Sequence, residues 1–152
     1  MLDENKFIKG LLKKVINKIN FRVNTDLTVA SQVLSWFDRI NHPPIPDTRI
    51  WWECQTLLME GFANIVEHAH KDLPIDTSIE LEAVRFSERI EIRIWSQGKA
   101  FDLDKKLAEL SEFEDNELDR GRGLKIMSVI ADQLTYKQTA DNRYCLFICK
   151  YY

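Results

Sequence analysis

The hydrophobic positions change period along the chain, and the changes mark out its elements. Phe7, Leu11, Val15 and Ile19 recur at helical spacing among lysines, so Leu2 to Ile19 reads as a short amphipathic helix loosened at Gly10. Asn20-Phe21-Arg22-Val23 alternates like a strand. Asp26 or Thr25 can cap a helix carried by Leu27, Ala30, Val33, Leu34 and Phe37. His42-Pro43-Pro44-Ile45-Pro46 ends it, because proline cannot continue a helix interior. Asp47 or Thr48 opens a longer helix to about His70, with Ile50, Leu57, Leu58, Phe62, Ile65 and Val66 as its apolar stripe.

From Ser78 the period becomes two. Ile79, Leu81 and Ala83, then Ile90, Ile92 and Ile94, each fill one side of a predicted hairpin that turns at Ser87-Glu88-Arg89. Asp104 to Asp119 is polar and acidic, anchored only by Leu107, Leu110, Phe113 and Leu118, and reads as a mobile helix or loop. Gly121 to Asp132 is a glycine turn entering a helix. Leu134-Thr135-Tyr136 and Tyr144 to Ile148 are the last strands, joined at Asp141-Asn142. Helices on one face of a mixed, mostly antiparallel sheet satisfy both periods, which gives an α/β (α+β) two-layer sandwich.

Length and composition fit this picture. The chain has 152 residues, 45% hydrophobic and 30% charged, as one domain with a real core requires. A formal net charge of -3 gives no bulk attraction for nucleic acid. No apolar run is long enough to cross a bilayer and the first ten residues carry no signal-peptide core, so a soluble, cytoplasmic protein is expected. Cys54, Cys145 and Cys149 form no CxxC pair and sit among apolar residues, which favours packing over a metal or redox role.

Three constellations can carry chemistry. Glu60, Asn64 and His68 are spaced by four and share one helix face. A carboxylate there can act as a general base and an amide oxygen can bind Mg²⁺, or the stripe is a solvated polar face. Asp119-Arg120-Gly121-Arg122-Gly123-Leu124 places glycines at a helix entry, where backbone N–H groups can approach a phosphate; a plain helix entry uses the same residues. Ile94-Trp95-Ser96-Gln97-Gly98 ends a strand in a glycine that can lie under a ligand ring, or simply turn.

In this order the three resemble the GHKL superfamily of ATP sites, and within it the serine/threonine kinases that act as bacterial anti-sigma factors. Glu60 to Ala69 is similar to their Glu-x-x-x-Asn-x-x-x-His-Ala box, and Gly121-Arg122-Gly123-Leu124 to their second glycine box. The resemblance covers roughly residues 20–150. It divides the chain into a helical extension over 1–19 and an ATP-binding kinase domain over 20–152.

The resemblance implies roles. Glu60 is the base that activates a serine or threonine hydroxyl. Asn64 coordinates the Mg²⁺ of Mg-ATP. Ser96 and Gly98 line the adenine pocket. Gly121, Arg122 and Gly123 close on the phosphates, Leu124 starts the helix behind them, and Asp104–Asp119 is a lid. His68 supports the site's helix. The implied partners are a sigma factor and an antagonist that is phosphorylated, and a homodimer is also implied. One position departs: the family has an aspartate where this chain has Ser96, and that aspartate receives the adenine amino group. Loss of a charge-assisted hydrogen bond costs about 1.5–3 kcal/mol, on the order of 10- to 100-fold in affinity. A catalytically weak, protein-binding module of the same fold is therefore the alternative reading.

Overall fold

A computed structural model of the chain describes residues 14–98, 103–112 and 122–152. Five strands form one sheet in the order β1-β2-β3-β5-β4. They are β1 (Val15–Asn24), β2 (Ser78–Phe86), β3 (Arg89–Ser96), β4 (Gln133–Gln138) and β5 (Tyr144–Tyr151). The helices are α1 (Ala30–Asp38), α2 (Thr48–Asn64), α3 (Leu103–Glu112) and α4 (Arg122–Ile130). Every pairing among these strands is antiparallel, so the sheet is not mixed as the sequence suggested.

The register follows the alternation. Ile19 faces Ala83, Phe21 faces Leu81 and Val23 faces Ile79; on the same side Leu81 meets Ile94 and Ala83 meets Ile92. These side chains, with Leu146 and Ile148 of β5, form the floor of the core. Leu57, Leu58, Phe62 and Ile65 press on it from above, and Phe37 stacks on Trp51 at 4.8 Å where α1 meets α2. Asp47 caps α2 by accepting from the N–H of Arg49, and Asp26 does the same for Thr28 at a 3-10 turn before α1. Arg85 is buried, and its guanidinium donates to the carbonyls of Ile40 and Pro43, so the proline-rich connection supplies the acceptors that a buried cation needs.

The other face of the sheet carries charge in pairs. Glu82 holds Lys18 and Arg93, Glu80 holds Arg22 and Arg143, and Glu91 holds Arg89 and Arg93. Arg93 also lies over the ring of Phe147. This explains the charged alternates of the strand pattern without a binding role.

The expected helix to Ile19 is corrected at its end. Val15 to Ile19 belong to β1 and pair with β2. A spacing of four is even, so the pattern of Val15 and Ile19 fits a regular strand as well as a helix; a register shift between Val15 and Asn17 leaves Val15 exposed and Ile19 buried. The β-branched Val15, Ile16 and Ile19 and the free edge of β2 favour the strand. Residues 1–13 of that expectation lie outside the described residues.

The cysteines are free thiols. Burial pushes Cys54 up to about 12 and Cys149 up to about 11, and raises Cys145, so none is poised as a thiolate. Among the described residues no helix is long and apolar enough to cross a membrane, and no cluster of three or more His, Cys, Asp or Glu could hold a metal ion.

Candidate functional site

Glycine, carboxylate and amide meet where α2 and α4 pack together. Glu60 is half-buried near the end of α2. Gly123 stands in the first turn of α4, so close that a Cβ on it would lie 2.1 Å from Oε2 of Glu60. The carboxylate therefore sits at the end of a helix whose first backbone N–H groups have no partner within the helix. Leu124, next in line, is buried in the core and fixes the start of α4 from behind. Arg122 is the first residue of α4, and Gly121 lies outside the described residues.

Asn64 is the last residue of α2. Its side chain is buried, and Nδ2 has no hydrogen-bond partner among the described residues. A buried amide donor left unmatched costs about 1–3 kcal/mol, so the fold holds a polar group here at a penalty. The amide can be turned over without changing its shape, and the position then offers an oxygen. The residue type and its lack of a partner fit a site for Mg²⁺ carried on a triphosphate.

Beyond Asn64 the helix changes its winding. His70 N–H donates to the carbonyl of Ile65 at 2.8 Å, closing a π-turn over Ile65–Ala69. The turn takes an extra residue, so the stripe through Glu60 and Asn64 continues at buried Ala69 instead of His68. His68 is exposed; burial of part of its ring and the ammonium of Lys106 on α3 hold its pKa below the ordinary value. The supporting role that the sequence gave to His68 falls geometrically to His70, which is 1% exposed.

The turn after β3 rests on this segment. A Cβ on Gly98 would lie 1.6 Å from the carbonyl oxygen of Ala69, so only glycine allows the chain to pass. The N–H of Gln97 donates to Nε2 of His70 at 2.9 Å. Ser96, the last residue of β3, has no exposed surface, and its Oγ lies 3.1 Å from the hydroxyl of Tyr136 on β4. Burial raises the pKa of Tyr136, and its ring stacks on Tyr144 at 5.3 Å.

The structure thus brings Glu60 together with Gly123, and places Ser96 and Gly98 at a separate turn that is tied to the end of α2 through Ala69 and His70. Of the expected lid, residues 104–112 belong to α3, which begins with buried Leu103 and packs against α4; residues 113–119 lie outside the described residues. Sequence reasoning missed Thr25, His70 and Tyr136. His70 has no signal in the four-residue period, because the π-turn resets it. Tyr136 could have been found as the inward position of β4 next to Leu134 in the alternation.

Comparison with known proteins bears on the family and the fold. Residues 23–150 match the histidine kinase-like ATPase domain family. No protein of curated function matches the sequence. Among solved structures, the fold is similar to that in the crystal structure of the SiaB-SiaC complex from Pseudomonas aeruginosa, with a TM-score of 0.63 over 100% of this chain and 99% of that chain, at 11% identity. At that identity the likeness concerns the fold alone. The family match runs from the end of β1 into β5 and takes in Glu60, Asn64, Gly98 and Gly123, and the chain therefore belongs to the histidine kinase-like ATPase domain family.

Proposed function

We propose that the protein is an ATP-dependent serine/threonine protein kinase of the anti-sigma-factor type, which binds a sigma factor or similar regulator and phosphorylates an antagonist protein. The observation that carries this reading is the approach of Glu60 to Gly123, which sets a carboxylate beside the first turn of α4. A backbone without side chain at that turn can face a phosphate directly. Asn64, one turn further along α2, holds the position for the cation. Mg-ATP supplies the phosphoryl group and the cation that offsets its charge. Glu60 accepts the proton of the attacking serine or threonine hydroxyl, while the backbone at Gly123 and the amide of Asn64 orient the phosphates, since phosphoryl transfer depends mainly on position and charge. Helix α3 packs on α4; in this reading it belongs to a lid that orders over nucleotide and limits water.

A protein partner is supported by the source of the structural neighbour, which is a protein–protein complex. The reading places the protein in the cytoplasm, where its three thiols stay reduced.

One observation favours a second reading. Ser96 is fully buried and its Oγ lies 3.1 Å from the hydroxyl of Tyr136, so the position that receives an adenine amino group in the resembled kinases holds a neutral hydroxyl that already has a partner. That suits a module that keeps the fold, binds its protein partner and takes up nucleotide weakly or not at all.

Titration calorimetry with Mg-ATP, paired with a phosphoryl-transfer assay on wild type and Glu60→Gln, separates the two. The kinase reading expects binding by both proteins and a rate loss of about 10²–10⁴ for Glu60→Gln. Absence of nucleotide binding by the wild type would leave the partner-binding module.

A further inference from the structure

Two hydrogen bonds meet on the ring of His70, and a third extends them through Thr25. The N–H of Gln97 can only donate, so Nε2 of His70 is the bare acceptor, at 2.9 Å. Nδ1 then carries the proton and donates to Oγ1 of Thr25 at 2.8 Å. The hydroxyl of Thr25 passes its own hydrogen to the carbonyl of Thr77 at 2.6 Å, and the backbone N–H of Thr25 donates to Ile75. The donors all run one way, which fixes a single tautomer of a neutral imidazole. The ring is 1% exposed, and its Cδ2 would stand 3.1 Å from a Cβ on Gly98. One side chain thus ties together the end of β1, the loop before β2, the π-turn after Asn64 and the turn after β3.

We infer that His70 is a positioning residue for nucleotide binding: acting as a neutral imidazole, it sets the Gln97-Gly98 turn against the end of α2. The inference rests on the kinase reading for its ligand, but the clamp exists in the free protein. A protonated ring would point a second N–H at the N–H of Gln97, break that link and release the turn. The inference therefore carries a pH dependence. Among the described residues, the ionisable groups nearest along the chain to the ring and its contacts are Asp26 from the segment after β1, His68, Lys71 and Asp72 from its own segment, and Asp76 from the loop before β2; Ser96, Gln97 and Gly98 bring no charge. Asp26 is engaged with the N–H of Thr28, and the other four are exposed. Burial of the ring is what holds its pKa below the ordinary 6.5.

The test uses the full chain. Amide exchange protection at Gln97 and Gly98 is measured without nucleotide for wild type, His70→Ala and His70→Gln, and Mg-ATP affinity is measured for each across about pH 7.5 to 5.5. Loss of one hydrogen bond predicts about tenfold lower protection at Gln97 and about tenfold weaker Mg-ATP binding in His70→Ala. His70→Gln keeps an acceptor for Gln97, so it should restore most of both at neutral pH and lose the decline that wild type shows on acidification. If His70→Ala does not fold, the wild type and His70→Gln pH profiles decide alone. Unchanged protection at Gln97 in His70→Ala, or identical acid profiles for wild type and His70→Gln, would overturn the inference. A wild type that binds no Mg-ATP would remove the kinase reading while the protection data still judge the clamp.

Discussion

Glu60 and Gly123 occupy one small volume: a side chain on Gly123 would have its first carbon 2.1 Å from Oε2 and 3.1 Å from Cδ of Glu60. The contact joins the two helices that carry the site. It also separates stability from function, because the obstructing atom is the free end of a flexible side chain and not backbone.

Gly123→Ala should therefore fold well. Alanine is favoured over glycine in a helix by about 1 kcal/mol, and Glu60 can swing aside. The melting temperature is expected to stay or rise, while phosphoryl transfer falls at least tenfold, by roughly 1.4 kcal/mol of lost orientation. A thermal scan beside a kinase assay checks it; an active Gly123→Ala would detach Glu60 from the phosphate-facing turn. Gly98→Ala provides the contrast, since its Cβ would meet the fixed carbonyl of Ala69 at 1.6 Å and the fold must yield by about 1–3 kcal/mol.

Asn64→Ala removes a buried donor that has no partner among the described residues. Ligand-free stability in urea should fall by less than about 1 kcal/mol, since the lost packing is offset by the lost desolvation penalty of about 1–3 kcal/mol. Mg-ATP affinity should fall by at least about tenfold, a loss seen even for outer partners of a bound cation. A large stability loss with unchanged binding would make Asn64 a structural residue.

Ser96→Asp tests the position at which the resembled kinases carry an aspartate. It places a carboxylate where a hydroxyl is now fully buried, beside the hydroxyl of Tyr136. The ligand-free protein should melt lower, because a buried carboxylate is poorly solvated. Mg-ATP should bind about 10- to 100-fold tighter, the range of one charge-assisted hydrogen bond. Calorimetry that finds no gain would mean that Tyr136 and its neighbours have remade the pocket.

Acid should weaken the fold in two steps. Burial keeps the folded pKa of His70 below its ordinary 6.5. The unfolded chain then takes up that proton first, so this stability is complete above pH 6.5 and is lost as pH falls towards the folded value. Glu53, bonded to Lys150 at 2.8 Å, is held below its ordinary 4.5 chiefly by that hydrogen bond. Its contribution is complete above pH 4.5 and is lost as pH falls through the folded value. Melting temperature against pH should lose its upper step in His70→Gln and its lower step in Glu53→Gln. A variant that keeps the wild-type profile acquits the residue it replaced.

Much of the fold could be read along the chain. The hairpin of β2 and β3 was legible because Ile79, Leu81, Ile90, Ile92 and Ile94 repeat at two with no helical alternative. Helix α2 was legible from its Asp47 cap and its apolar stripe. The start of β1 was not, since a spacing of four fits both periods and only pairing of Val15 with Phe86 and of Ile19 with Ala83 settles between them. Within the candidate site, the chemistry of Glu60 and Asn64 was legible from residue type and order. Their surroundings were not.

The sequence by itself determined the alternation that makes the sheet, the caps and prolines that bound the helices, and the order of carboxylate, amide and glycine motifs that points to a histidine kinase-like ATPase domain. Those are local properties, set by side-chain period and backbone preference. Only the tertiary structure decided that Gly123 meets Glu60, that the hydroxyl of Tyr136 lies against Ser96, and that a π-turn buries His70 and leaves His68 exposed. Each of these joins atoms that are distant along the chain or follows from one extra residue in a turn, and a contact of that kind exists only once packing has chosen which faces touch.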